Sequence, residues 1–371
     1  METKMDESIE DDSYLLSDET LDSERANEFV STFAEHKPQS DALGQRKLGY
    51  FMIAIIIVIW VGASFVIQYV ETASVGSFTV TFAGTSLFVI YLPIAYCYDK
   101  LKLAWRMKSS GTSTYEGLSS LHEHKNQLLD YRTIKAALVL MPLWFGANFF
   151  YNSSLCNTSV GASTILSGTS ASFTLLIGSF LGIEVVNKYN VSGVIVCLVG
   201  IILIGLDASS EGTDADTGTC TKSNSVLGDF YALVSAFFYA LYALWVRYAF
   251  PDGDKSVRME ILFGYVGFFS ILFLGPVFVL LLLTKLEDPS SLTPQIILFI
   301  IGNGLINNVL SDYLWGRAVL LTSPTITTVS LSLTMPSSVL LDYVINSVSF
   351  SMLSFIGAAL VVFGFLFVVS S

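Results

Sequence analysis

The residue in this chain with the strongest claim to chemistry is Asp312, a carboxylate deep inside a long apolar run. An aspartate at the centre of a membrane helix costs about 2.5–3.5 kcal/mol, so its side chain must face protein or a water-filled path rather than lipid. Asn308 lies one turn before it, and Asn303 and Asn307 form a second i,i+4 pair, a spacing that puts two side chains on one helix face. Slid by 164 positions, the middle of the chain falls on its end: Asn148 takes the place of Asp312 and Tyr151 that of Trp315, with Asn152 following Asn148 at i+4. An amide or carboxylate beside an aromatic, once in each copy, suits a small polar organic solute with a ring that can stack. Asparagines also hydrogen-bond across helix interfaces in membranes. Helix packing is therefore the competing account of Asn148, Asn152 and Asn308.

A second pattern is a stripe of hydroxyls. Ser163, Ser167, Ser170 and Thr174 share one helical face, and Thr327, Thr334 and Ser338 occupy the matching places in the second copy, with Leu331 breaking the stripe. Such stripes can line a polar path, with Ser170 and Thr334 as candidate solute contacts, or can be seams where small residues let helices approach. Pro336 frees a carbonyl and can kink or unwind its helix beside a cavity, and Pro142 can do the same in the first copy. Arg317 follows Asp312 by five residues, about 500° of helical turn, so the two do not pair within the helix. Arg317 either snorkels to the headgroups or meets an anionic group at a cavity mouth, and is a gating or coupling candidate with Pro336 and Asp312. Glu184 and Lys188 read as span-end residues. No Gly-x-x-x-x-Gly-Lys-Ser/Thr loop is present, and the three histidines, His36, His122 and His124, lie outside the apolar runs. The reading is of no enzyme, no catalytic residue, no metal and no cofactor.

The elements that must hold these residues are membrane spans. The chain is 53% hydrophobic and only 13% charged, against about 25% charged in soluble domains. The apolar residues fall in blocks of about 20, the length that crosses a hydrocarbon core of about 30 Å. Ten spans are expected, at 49–70, 76–97, 134–154, 158–181, 188–206, 226–249, 259–283, 295–319, 323–345 and 350–369. The 164-residue slide superposes Thr158-Ser159 on Thr322-Ser323, Thr164 on Thr328, Gly193 on Gly357 and Gly200 on Gly364. At an offset of 179, Gly49 falls on Gly228 and Trp60 on Tyr239. Letter identity is sparse, six matches in 55 positions from Tyr151 to Gly205, so the weight rests on the span layout. Five spans per copy force the second copy into the membrane upside down. Inverted repeats are a transporter architecture, with the binding site near mid-membrane where the copies meet.

The expected fold class is therefore an all-α integral membrane protein of ten transmembrane helices in two inverted five-helix repeats. Residues 1–47 are an acidic cytosolic tail, holding 13 of the 31 acids within the first 48 residues, and are expected to be disordered. Residues 48–206 are the first repeat, with a cytosolic loop at 98–133; 207–225 is a non-cytosolic linker; 226–371 is the second repeat. With both termini in the cytosol, 17 of the 19 Lys and Arg fall on the cytosolic side, as the positive-inside rule requires. Two glycosylation patterns, at Asn152 and Asn157, lie too close to the bilayer for use. Cys156 and Cys220 could pair on the non-cytosolic side, although cysteine often serves as an apolar filler.

Several stretches carry a family resemblance: Phe149-Phe-Tyr-Asn-Ser-Ser-Leu-Cys-Asn-Thr-Ser-Val160, Ile165-Leu-Ser-Gly-Thr-Ser170, Gly264-Tyr-Val-Gly-Phe-Phe269, Leu310-Ser-Asp-Tyr-Leu-Trp315 and Leu331-Ser-Leu-Thr-Met-Pro336. On these the chain resembles the drug/metabolite transporter superfamily with its EamA-type repeats, and within it solute carrier family 35, F subfamily, with related fungal and plant vacuolar-type members. The resemblance implies alternating access around a central cavity and a solute among metabolites, vitamins, nucleosides or nucleotide-like molecules. Phe-Tyr-Asn resembles part of a nucleotide-sugar transporter signature, but the Gly-Ala-Leu-Asn-Lys signature of those proteins is absent. The expected function is secondary transport of a small polar organic solute contacted by Asp312, Asn308, Asn148, Asn152, Tyr151, Ser170 and Thr334. The alternatives are a nucleotide-sugar antiporter and a non-transporting membrane scaffold. Partners are the solute, the lipid bilayer and sorting adaptors on the tail, with no nucleic acid; homodimerisation is open. Asp11-Asp-Ser-Tyr-Leu15-Leu16 resembles an acidic dileucine sorting signal, with Asp11, Leu15 and Leu16 as its working residues. It points to vacuolar or lysosomal membranes, with Golgi-endosomal membranes as the other address.

Overall fold

A computed structural model of the protein describes residues 39–71, 75–110, 130–158, 160–210, 225–254, 257–284, 286, 292–337, 340–341 and 351–370. Residues 1–44 and 45–371 are two compact units, and the architecture below belongs to the second. The sorting-signal residues Asp11, Leu15 and Leu16, all three histidines, Cys220 and most of the loops 98–133 and 207–225 lie outside the described residues.

Within a bilayer every backbone N–H and C=O must find its partner inside the protein, which leaves the helix as the economical answer for one apolar segment. The described elements are helical throughout. They are α1 (Gln39–Glu71), α2 (Ser77–Ser86), a 3-10 turn (Leu87–Ile90), α3 (Tyr91–Ser110), α4 (Tyr131–Asn157), α5 (Val160–Ser167), α6 (Ser170–Phe180) and α7 (Lys188–Ser210). The second half holds α8 (Ser225–Ala249), α9 (Met259–Leu283), α10 (Pro294–Asn303), a π-helical stretch (Gly304–Leu310), α11 (Ser311–Leu321), α12 (Pro324–Leu331) and α13 (Met352–Val369). Eight helical segments among the described residues are long and apolar enough to cross a membrane. They match the first to third, fifth to eighth and tenth expected spans.

The remaining two expected spans differ. The fourth is two short helices, α5 and α6, separated by a turn at Gly168-Thr169. The ninth opens with α12, turns at Ser332-Leu333, becomes helical again over 334–337, and its last part lies outside the described residues. The two turns fall on each other at the 164-residue offset. In the second, Pro336 has no N–H to give the Ser332 carbonyl, and that carbonyl accepts instead from Met335 N. Pro142 does not unwind its helix: α4 runs through it unbroken, with the ring at an exposed position.

The helix ends are capped by local chemistry. Asp130 accepts from Arg132 N and Thr133 N at the start of α4, and Thr293 and Ser323 cap α10 and α12, each followed by a proline in the first helical position. Large apolar side chains such as Phe51, Val58, Leu272 and Phe355 remain exposed on the helix surfaces, where a bilayer would cover them.

Two sets of close contacts organise the unit. The helices α7 and α13 touch backbone to backbone. A Cβ on Gly193 would lie 2.7 Å from Gly364 O, and one on Gly200 would lie 2.6 Å from Gly357 O. The 164-residue shift exchanges these two contacts, since it carries Gly193 to Gly357 and Gly200 to Gly364. Gly228, at the start of α8, sits against Thr158, whose hydroxyl donates to Asp229 Oδ1 at 2.8 Å; Gly49, in α1, sits against Leu321 and Thr322. These contacts too exchange, Gly228 with Gly49 and Thr158 with Thr322. The largest apolar core among the described residues includes Ile56, Phe88, Leu140, Trp144, Tyr242, Phe263 and Trp315.

Candidate functional site

Asp312 enters this core from the first turn of α11 and is only 4% exposed. Its Oδ2 accepts a hydrogen bond from Trp144 Nε1 at 3.1 Å. Trp144 belongs to α4, and one turn further along that helix Asn148 Nδ2 donates to the Trp144 carbonyl at 3.0 Å. The indole residue thus links the two positions that the 164-residue slide superposes, Asn148 and Asp312. No ion pair to Asp312 exists among the described residues. A hydrogen bond to a charged group contributes about 1.5–3 kcal/mol, against about 2.5–3.5 kcal/mol for a carboxylate at a helix centre. One neutral donor at best balances the charge and leaves the second oxygen uncompensated.

Aromatic side chains gather near Asp312. Trp315 stacks on Tyr242 with ring centres 4.5 Å apart, and Tyr239 meets Trp315 edge-on at 5.6 Å. Phe88, from the 3-10 turn, packs edge-on against Trp144 at 5.1 Å. The titratable neighbours within electrostatic reach of the carboxyl are the phenols of Tyr91, Tyr239 and Tyr242. Tyr91 Oη is occupied, donating to Val309 O at 2.6 Å. By contrast, Tyr242 Oη and Trp315 Nε1 are buried with no hydrogen-bond partner among the described residues. An unmet buried polar group costs about 1–3 kcal/mol, so two of them beside a half-compensated carboxylate are a departure that asks for an explanation.

The element that presents Asp312 is irregular. Residues Gly304–Leu310 form π-helix between two α-helical stretches, a form that recurs at functional sites. It carries Asn307 and Asn308 away from simple i,i+4 registry with their neighbours. Ser311 Oγ donates to the Asn307 carbonyl and accepts from Trp60 Nε1 at 2.7 Å, which ties α1 to this stretch. Asn308 rests on Gly84 of α2, where any Cβ would collide with its amide.

The other expected residues are distributed around this centre. Asn152 Nδ2 donates to Thr81 Oγ1 at 3.0 Å, joining α4 to α2, and Tyr151 is half-buried on the same helix. Ser170 is buried at the start of α6, and Thr334 Oγ1 donates to the Leu331 carbonyl across the break after α12. No hydrogen bond joins either to Asp312 among the described residues. Arg317 is held by Asp254 through Nε at 2.8 Å and Nη2 at 2.6 Å, and lies over the Tyr313 ring. Glu184 lies in the α6–α7 connection, where a span-end residue belongs, and its Oε1 accepts from Thr325 N at 2.9 Å, capping α12. Burial pushes the Glu184 carboxyl up from its ordinary value, against the opposing pull of Thr325, Ser323 and Arg247. Trp144, Tyr242 and Asp254 are the participants that the residue pattern does not single out. The signal for Trp144 is chemical: a buried indole N–H needs an acceptor, and Asp312 is the deep one.

These observations define a multi-pass helical membrane protein with a polar centre buried between its helices. Comparison with known proteins gives the class. The profile of the EamA-like transporter family matches residues 226–370, and that of solute carrier family 35 matches residues 125–281. An uncharacterized vacuolar membrane protein of Saccharomyces cerevisiae is 32% identical over 86% of this chain and 88% of its own length. A thiamine-repressible mitochondrial transport protein of the same yeast is 29% identical over 86% of this chain and 91% of its own. Solute carrier family 35 member F5 of Mus musculus is 29% identical over 89% and 78%. A solved crystal structure at 16% identity superposes with a TM-score of 0.59 over 86% of this chain and 95% of its own, a likeness of fold alone. The chain belongs to the drug/metabolite transporter superfamily and, within it, to the group resembling solute carrier family 35 F.

Proposed function

We propose that this membrane transporter moves a small polar organic solute by alternating access, with ten transmembrane helices in two inverted repeats and with Asp312 at the solute site. The observation that carries this reading is Asp312 itself: enclosed between the halves, held by Trp144 of the first repeat, and without a cation among the described residues. Two further features support it. The contacts of Gly193, Gly200, Gly228 and Gly49 exchange in pairs under the repeat offsets, as a two-fold axis in the membrane plane would require. The paired breaks at Gly168-Thr169 and Ser332-Leu333 are the interrupted helices that transporters use near their sites. In this reading Asn308, Asn148 and Asn152 add polar contacts, Tyr151 adds a ring, and Ser170 and Thr334 line the path beside the breaks. Asp312 also carries a coupled proton. Both termini face the cytosol, and the membrane is vacuolar or lysosomal, the yeast relative described as vacuolar being the support, with Golgi-endosomal membranes as the other address.

The test is flux. The full-length protein in proteoliposomes, loaded with a metabolite extract and assayed by counterflow, is expected to exchange solute. Asp312→Asn is expected to cut that exchange by about tenfold or more, equivalent to about 1.4 kcal/mol. Flux unchanged by Asp312→Asn from acidic to neutral pH removes Asp312 from both solute binding and proton coupling.

A further inference from the structure

The chemistry around Asp312 narrows the solute, on the reading that this is the solute site. Three features bear on charge. The carboxylate has one neutral donor, Trp144 Nε1, and no Lys, Arg or His partner among the described residues. The arginine nearest along the helix, Arg317, is already spent on Asp254, which holds it through two nitrogens. The side chains gathered near it include the rings of Trp144, Tyr239, Tyr242 and Trp315, an aromatic setting in which a π face opened to the solute attracts a cation and not an anion.

A fourth feature bears on shape. Tyr242 Oη and Trp315 Nε1 are buried and unpartnered among the described residues, and the Tyr242 ring of α8 stacks on Trp315, which follows the carboxylate by three residues along α11. The phenol can donate or accept and the indole can only donate. Together they await a ligand with an acceptor atom set a short way from its positive centre. A purely anionic solute would meet the carboxylate with no cation to offset it. A neutral polyol would leave the charge as it stands and gain little from the rings. We infer that the solute is an organic cation, aromatic or alkylated at nitrogen, which carries a hydrogen-bond acceptor: the cation lies against Asp312 and the aromatic box, and the acceptor meets Trp315 Nε1 and Tyr242 Oη.

The test compares three probes of one ring and three charges: 1-methylnicotinamide as the cation, nicotinamide as the neutral form and nicotinate as the anion. Binding to the full-length protein in nanodiscs is followed by quenching of tryptophan fluorescence. The expected order is cation first, by about tenfold or more over the neutral form, with the anion weakest. This comparison needs no variant. Asp312→Asn is expected to erase the preference for the cation, and Tyr242→Phe to weaken 1-methylnicotinamide while leaving the preference for positive charge. Equal binding of the cation and the neutral form, or no binding of the cation, overturns the cation assignment. The two ideas fail separately. A protein that exchanges extract solutes in counterflow yet does not favour the cation remains a transporter with a different solute class. One that exchanges nothing overturns the transport reading itself.

Discussion

Asp312 depends on a donor 168 residues away in sequence, and that dependence is measurable. Trp144→Phe retains a ring against Phe88 but removes the indole N–H, leaving Asp312 with no partner for Oδ2. The variant is expected to lose about 1–3 kcal/mol of stability in thermal unfolding from detergent micelles. In a double-mutant cycle with Asp312→Leu, which removes the acceptor, most of that loss should vanish, whereas additive losses would mean that the bond contributes nothing. The carboxylate itself was legible in the sequence, because a charge in an apolar run is costly wherever it stands. Trp144 and Tyr242 were not, because an aromatic in a span reads equally well as core, and only folding brings them to the acid. Glu184 supplies a pH prediction of the same scale. Its carboxyl is pushed up in the folded protein, so the folded state holds the proton more tightly than the unfolded state does. Its contribution is then full below the unfolded value, about 4.3, and is lost as pH rises through the folded one. The melting temperature of the native protein relative to Glu184→Gln should therefore rise as pH falls from neutral toward about 5, and a gap that is flat with pH contradicts this assignment.

Among the elements, eight spans could be read as single helices from the length and composition of apolar runs, and the breaks inside the fourth and ninth could not. Each of those two is apolar enough to pass for one helix, yet each is broken at the same place in its copy. Pro336 was a visible cause in the ninth, while the turn at Gly168-Thr169 has no proline and left only a glycine as its mark. Pro142, in contrast, leaves its helix continuous, since a proline in a membrane helix need not interrupt it. The α7–α13 seam turns on glycines that the repeat had already aligned. At Gly200 a side chain would meet the carbonyl oxygen of Gly357, and backbone there has little freedom to yield. Gly200→Val is expected to cost at least about 1–3 kcal/mol, the range for overpacking, and Gly364→Val about the same, because the repeat places them in equivalent positions. Unequal losses, read as melting temperatures of the two variants, would mean that the seam is not two-fold.

For the whole molecule, the segment between α8 and α9 gathers ion pairs from three other elements. Asp254 holds Arg317 of α11, Asp252 reaches Arg132 of α4 at 3.8 Å, and Arg258 pairs with Asp99 of α3 at 2.8 Å. All of them lie at the end that the proposed orientation puts in the cytosol. If the two halves rock to admit solute from that side, these pairs must part, and they act as a clasp whose strength sets how often the path opens. The Arg132–Asp252 pair is long and mostly exposed, so it contributes little. The Arg317–Asp254 pair is bidentate and mostly shielded, which places it near the upper end of such pairs, about 1 kcal/mol. Removing it should raise the share of molecules open to the cytosol about fivefold. The readout is the rate at which a membrane-impermeant maleimide, added from the cytosolic side, labels Asn308→Cys in a background free of the four natural cysteines. Asp254→Asn is expected to speed labelling by that factor, and the exchanged pair Asp254→Arg with Arg317→Asp to bring it back toward the original rate. Labelling that is unchanged in Asp254→Asn would show that the pair braces the folded unit without gating it. Faster labelling in the single variant that the exchanged pair fails to reverse would point to loop unfolding instead of a released clasp.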